Sequence, residues 1–242
     1  MEVLNDILGY KNRKIFQDND CFSFSLDSVM LANFATIRLR DKKIADLGCG
    51  NGVIPLILSL RTDKEIVGVE LQKKLADMAL KSVKYNSLDN QIKILNVNMK
   101  DFSKGDYFES FDLITCNPPY FKVNEKNYFN ESYEKMIARH EIEINLSDLL
   151  ICARNLLKNN GNFAIVHRPE RLMEILFEFR KNSIEPKRIQ FVHEKINKGS
   201  TLVLVEGQKN GKEGLKIENP IIMYNEDGTM TDEYALLQVE VK

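Results

Sequence analysis

The sequence predicts a doubly wound α/β protein: a mostly parallel, seven-stranded sheet with helices on both faces, closed by an antiparallel C-terminal hairpin. Three observations carry this expectation. Short β-branched runs alternate with helical patterns between Lys43 and Val205. A glycine-rich turn, Gly48 to Gly52, stands between the first such run and the helical pattern after it. The 242 residues are 43% hydrophobic and carry a net charge of −1, enough apolar material for a core and unlike the composition of a disordered chain.

Residues 1–40 read as a small subelement packed on the core, because no linker separates them from Lys43. Within it, Phe22 and Phe24 alternate as on a strand, and Asp27 is placed to cap a helix through Leu31 to Ala35. The core spans 41–207. Ile44 to Leu47 reads as a buried strand and Val53 to Leu60 as the helix after it. Glu65 to Glu70 is the second strand. A helix from Gln72 to Leu88 then sets Leu75, Met78, Ala79, Ser82 and Val83 on one face. Ile92 to Val97 and Phe111 to Cys116 are the third and fourth strands. The polar, aromatic-bearing stretch from Asn117 to Asn145 is too long for an ordinary connection and reads as a functional loop. Leu146 to Leu157 is a helix expected to stop at Asn159-Asn160-Gly161, with the glycine just past its end. Asn162 to Val166 is the fifth strand, and Pro169 opens a helix to about Asn182. Ile189 to Val192 and Thr201 to Val205 form the closing pair around Asn197-Lys198-Gly199, and 208–242 is a C-terminal extension.

Several classes are excluded on composition. The four cysteines, Cys21, Cys49, Cys116 and Cys152, show neither a C-x-x-C pair nor metal-ligand spacing, so reduced thiols and no metal are expected. No run approaches 18 apolar residues, and Met1 to Asp6 lacks the basic and apolar regions of a secretory signal, so a cytoplasmic location without membrane contact is expected. Charge is uneven: seven Lys or Arg fall between Lys187 and Lys216, and six acids follow from Ile217 onward. Such a basic stretch suits phosphates, although it equally suits an ordinary solvated surface.

The stretch Asp46-Leu47-Gly48-Cys49-Gly50-Asn51-Gly52 is the most informative. Glycines at alternate positions let backbone approach a ligand without Cβ interference. A dinucleotide fingerprint needs G-x-G-x-x-G, but here the third glycine comes one residue early, which disfavours a Rossmann dehydrogenase. The acid before the turn would repel a pyrophosphate and suits a ligand with an ammonium and a sulfonium group, as in S-adenosylmethionine. Glu70, at the end of the second strand, is placed to accept both ribose hydroxyls. These residues resemble the class I methyltransferase family, with its Rossmann-like sheet and acid-G-x-G-x-G motif. The resemblance implies a cofactor site of Asp46, Gly48, Cys49, Gly50, Asn51, Gly52, Glu70, Leu71, Asn98, Met99 and Asn117, with either Asn98 or Asp101 at the cofactor's adenine.

Asn117-Pro118-Pro119-Tyr120 directly follows the fourth strand, at the sheet edge where open α/β folds bind ligands. The prolines stiffen the turn, so the Asn117 side chain and the Pro118 carbonyl offer two acceptors to one amino group. That grip orients a delocalised amine lone pair toward an electrophile without a strong base. Tyr120 suits stacking on a planar target. The tetrapeptide resembles the motif of adenine-N6, guanine-N2 and glutamine-N5 methyltransferases.

Phe22-Ser23-Phe24-Ser25-Leu26-Asp27, Ala138-Arg139-His140-Glu141, Lys198 to Lys209 and Tyr224 to Tyr234 resemble the bacterial tRNA(Val) adenine-N6 methyltransferases. This implies a tRNA partner, with the unpaired adenine 37 beside the anticodon as target, S-adenosylhomocysteine as product and a monomer without an obligate protein partner. Lys122, Arg139, His140 and Lys198 are the candidate RNA contacts. A glutamine-N5 or guanine-N2 enzyme of the same chemistry, and a non-catalytic RNA-binding module, are the alternatives.

Overall fold

The computed structural model describes residues 2–7, 10–18, 26–118 and 145–237. An antiparallel hairpin of β1 (Glu2–Ile7) and β2 (Tyr10–Asp18) precedes helix α1 (Leu26–Phe34). The alternating core follows: β3 (Lys43–Leu47), α2 (Val53–Arg61), β4 (Glu65–Glu70), α3 (Lys73–Tyr85), β5 (Ile92–Asn96), the one-turn helix α4 (Met99–Phe102) and β6 (Phe111–Cys116). Then come α5 (Leu146–Leu156), β7 (Leu157–His167), a 3-10 turn at Pro169–Arg171 and α6 (Leu172–Lys181). The chain continues through β8 (Ile184–His193), β9 (Ser200–Lys209), two short strands, β10 (Lys216–Ile217) and β11 (Ile221–Ile222), and helix α7 (Asp232–Leu237).

One sheet organises the molecule in the order β10-β8-β9-β7-β6-β3-β4-β5, with β11 also pairing with β8. Strands β3 to β7 are mutually parallel, and β9 runs antiparallel between β7 and β8. The parallel strands are covered on both faces, which is why they read as nearly continuous apolar runs. Side chains of α1, α2 and α3 close one face with Ile44, Ile66 and Leu113, joined by Ile15 of the hairpin and Tyr234 of α7. Phe102 of α4 and the apolar stripes of α5 and α6 close the other over Leu47, Val69 and Ile114. Each fully buried Leu, Ile or Phe in these layers contributes about 1.5–3 kcal/mol.

Several elements differ from the sequence expectation. The N-terminal hairpin was not predicted, and Phe22 and Phe24 lie outside the described residues. Helix α1 begins at Leu26, so Asp27 sits in its first turn, where its charge meets the helix dipole, rather than capping from outside. On α3, Ala76 is buried and Leu75 only half-buried. The largest correction concerns Gly161, which does not terminate α5: β7 starts directly at Leu157. Phe111 pairs with Leu157 and Leu113 with Asn162, so residues 158–161 bulge out of the ladder. Asn160 takes the left-handed conformation there, at φ 62°. Gly161 is required for closeness instead, since a Cβ would stand 2.9 Å from Leu157 Cδ2 and 3.1 Å from the Phe111 carbonyl.

Candidate functional site

In-register pairing places the site. Asp46 lies opposite Thr115 and Leu47 opposite Cys116, so the turn after β3 and the segment after β6 leave the sheet side by side. Neighbouring strands are about 4.8 Å apart, which puts Gly48 and Asn117 at one edge within reach of a single small molecule. The turn itself needs glycine: Gly48, Gly50 and Gly52 have φ of 70°, 56° and 91°. Among the described residues a Cβ at Gly48 or Gly50 would meet nothing within 4 Å, so they leave this stretch of backbone uncovered. The N–H groups of Gly48 and Cys49 both donate to the Val69 carbonyl, and Asn51 Nδ2 donates to the Phe16 carbonyl of β2. The hairpin therefore braces the turn from outside.

Glu70 is buried at the end of β4. Its Oε2 accepts from Gly50 N at 2.9 Å and its Oε1 from Gln72 N at 2.7 Å. One carboxylate thus ties the glycine turn to the start of α3. Asn96, which the sequence reading missed, donates to the carbonyls of Glu70 and Leu71 and holds this edge closed. Asn98 caps α4 by accepting from Lys100 N at 2.9 Å, while Met99 packs partly buried and Asp101 is exposed. Of the two candidates for the cofactor's adenine, only Asn98 is structurally anchored at the strand end.

Asp46 is buried near the end of β3: it is 1% exposed, and its Oδ1 accepts from Thr115 Oγ1 at 2.7 Å. Its Oδ2 is buried without a hydrogen-bond partner among the described residues. Burial pushes the carboxyl up to about 8, the Thr115 hydrogen bond opposes this, and nearby Glu70 adds to it. Burial likewise pushes the thiols of Cys49 and Cys116 up, and both are free. The unmet Asp46 oxygen beside the glycine turn fits a cationic ligand such as S-adenosylmethionine, whose charge would draw the carboxyl back toward its ionised form.

Alternation along β6 turns Leu113, Thr115 and Asn117 toward α1. There Asn117 Nδ2 donates to Ser28 Oγ at 2.9 Å. Pro118 follows, whereas Pro119, Tyr120, Lys122, Arg139 and His140 lie outside the described residues. Lys198 is described and pairs with Glu194 at 2.9 Å. The basic stretch it belongs to is largely engaged within the protein: Arg188 with Glu206 and Glu218, Lys209 with Glu109, Lys216 with Glu218. His167, at the end of β7, accepts from Arg168 N through Nδ1, and burial, then Arg171, lowers it to about 4, so it is uncharged at neutral pH. His193 Nδ1 donates to the Lys198 carbonyl. Among the described residues no group of His, Cys, Asp and Glu is arranged to hold a metal, and no helix is long and apolar enough to cross a membrane.

Sheet order, glycine turn and strand-end carboxylate together define a class I methyltransferase. Known proteins agree. Residues 22–185 match the model of the methyltransferase small domain, and the chain belongs to that family. It is an S-adenosylmethionine-dependent methyltransferase. Along 96% of its length it is 23% identical to a tRNA1(Val) (adenine(37)-N6)-methyltransferase of Flavobacterium psychrophilum, covering 97% of that protein. A relative of the same name from Parabacteroides distasonis is 26% identical over 77% of this chain and 76% of its own. Among solved structures, a predicted O-methyltransferase from Agrobacterium tumefaciens superposes with a TM-score of 0.67 at 18% identity, covering 89% of this chain and 98% of that one. The geranyl diphosphate C-methyltransferase of Streptomyces coelicolor, solved with S-adenosyl-L-homocysteine, superposes at 0.55 with 14% identity over 75% of this chain and 76% of that one.

Proposed function

We propose that the protein methylates the N6 amine of an unpaired adenine in tRNA, adenine 37 beside the anticodon of tRNA(Val). The observation that carries the chemistry is the placement of Asn117 at the end of β6, one strand from the glycine turn after β3. The shared name of the relatives supports the substrate. In this reading Asp46 meets the cofactor's ammonium group, Glu70 its ribose, and Asn98 with Met99 its adenine. S-adenosylmethionine supplies a methyl group on a sulfonium, so that N–C bond formation is matched by S–C cleavage, with the bonding pair returning to sulfur and a proton leaving the amine for water.

The chain's own work is orientation. Asn117 Oδ1 and the Pro118 carbonyl accept the two amine hydrogens, which directs the nitrogen lone pair at the methyl. Tyr120 stacks on the base, and Lys122, Arg139, His140 and Lys198 meet RNA. An anticodon-loop base is unpaired, so removing it from its stack costs less than opening a duplex. Incubation of the protein with labelled cofactor and separate tRNA, rRNA and protein pools tests the proposal. Label should enter tRNA and be recovered as N6-methyladenosine. Label confined to rRNA guanine or to protein glutamine would replace the adenine reading.

A further inference from the structure

We infer that Gln17, in the N-terminal hairpin, is a cofactor-binding residue: its side-chain N–H takes the carboxylate at the amino-acid end of S-adenosylmethionine. The inference rests on the reading above in which Asp46 meets the ammonium group of that same end. Among the described residues, two buried side-chain atoms lack a hydrogen-bond partner, Gln17 Nε2 and Asp46 Oδ2. One is a donor and the other an acceptor. Gln17 is 7% exposed and Asp46 1%, so water does not serve them. A buried polar group without a partner is costly, and a ligand that bonds to it recovers that cost.

The hairpin sets Gln17 beside the site. The carbonyl of Phe16, just before it, accepts from Asn51 Nδ2 of the glycine turn at 3.2 Å. Asp18, just after it, pairs with Lys74 in the first turn of α3 at 2.7 Å. Glu70 ties those same two places together through Gly50 N and Gln72 N. Alternation along β2 turns Gln17 to the side of Ile15, which packs in the core. Gln17 Oε1 accepts from Asn5 Nδ2 at 2.8 Å. Asn5 is exposed and can turn its amide together with that of Gln17, so one end of Gln17 is buried and unmet in either orientation. A carboxylate only accepts, and therefore selects the N–H end. The amino-acid end of the cofactor carries an ammonium and a carboxylate on one carbon, a donor and an acceptor that complement the two unmet atoms.

The test is calorimetry of the full chain with two ligands, S-adenosylhomocysteine and its decarboxylated analogue, which keeps the amine. Gln17→Met, similar in shape and without a donor, should weaken S-adenosylhomocysteine about tenfold or more, the scale of one charge-assisted hydrogen bond. The same change should weaken the analogue less than about twofold. Melting of the ligand-free variant should stay close to wild type, because the N–H removed has no partner there and exposed Asn5 is left to water. Unchanged S-adenosylhomocysteine affinity, or an equal loss for both ligands, overturns the inference. Should Gln17→Met fail to fold, NMR of the wild-type Gln17 side-chain amide decides. Its protons should shift on addition of S-adenosylhomocysteine and much less with the analogue, and no shift or equal shifts overturn the inference. Asp46→Asn should weaken both ligands, because both keep the amine. If it weakens neither, the reading of Asp46 fails and the inference with it. If it weakens both while Gln17→Met leaves them unchanged, only the inference fails.

Discussion

Two side chains at the sheet edge carry the sharpest expectations. Asn117→Ala removes one acceptor for the amine and leaves the glycine turn and Glu70 in place. Single-turnover methyl transfer should fall by about two to three orders of magnitude, with S-adenosylhomocysteine affinity little changed by calorimetry. Near-normal turnover would remove Asn117 from the mechanism. Asp46 offers a pH test. In the unfolded chain it ionises near the ordinary carboxylate value of 3.8, and in the folded protein only near about 8, because of burial. Between those values the folded state holds the extra proton, so this residue's contribution to stability is full below the lower value and is lost as pH rises through the upper one. Asn at this position has no proton to lose. The melting temperature of ligand-free Asp46→Asn should therefore gain on the wild type from pH 5 to 8 and level off above about 9. A gap independent of pH would mean that Asp46 is ionised in the folded protein.

At the scale of elements, the glycine turn depends on neighbours that share no motif with it. Gly68 of β4 lies under the turn, and a Cβ there would stand 2.7 Å from Ile94 Cδ1 and 2.8 Å from Cys49 Sγ. Gly68→Ala should displace Cys49, cost about 1–3 kcal/mol in urea unfolding, and weaken S-adenosylhomocysteine binding in parallel. Unchanged binding would show that the turn tolerates movement of Cys49. The hairpin is a second support. Asn86 at the end of α3 accepts from Lys14 N and donates to the Lys14 carbonyl, and Ser82 Oγ accepts from Phe16 N. Asn86→Ala leaves two backbone groups of β2 without these partners and should cost about 1–3 kcal/mol. Equilibrium unfolding of the ligand-free protein measures this directly. These supports explain why only part of the site was legible: strand, turn and helix follow from local pattern, but docking of the hairpin leaves no period in the sequence.

Across the whole molecule, one charged network joins the start of the chain to the last long strand. Glu206 of β9 is buried, accepts from Thr36 N and Oγ1, and pairs with Arg188 of β8, whose guanidinium lies over the Phe34 ring. The C-terminal end of α1, and with it the helix carrying Ser28, is thereby tied to the antiparallel edge of the sheet. Arg188 keeps Glu218 and is partly exposed, so Glu206→Ala should cost about 1.5–3 kcal/mol rather than the larger loss of a fully buried ion pair. A thermal melt that did not shift would show that this network adds nothing to the docking of α1.

By itself, the sequence determined the alternating α/β order, the closing antiparallel pair, the glycine turn after the first core strand and the tetrapeptide after the fourth. Each is written in a few adjacent residues through side-chain period, glycine spacing or proline stiffness. Only the tertiary structure decided the partners: Thr115 for Asp46 at 69 positions, Gly50 for Glu70 at 20, and Ser28 for Asn117 at 89. Those pairings follow from strand order and register, which bring distant residues side by side. The burial they produce, not the identity of Asp46 alone, is what raises its carboxyl to about 8.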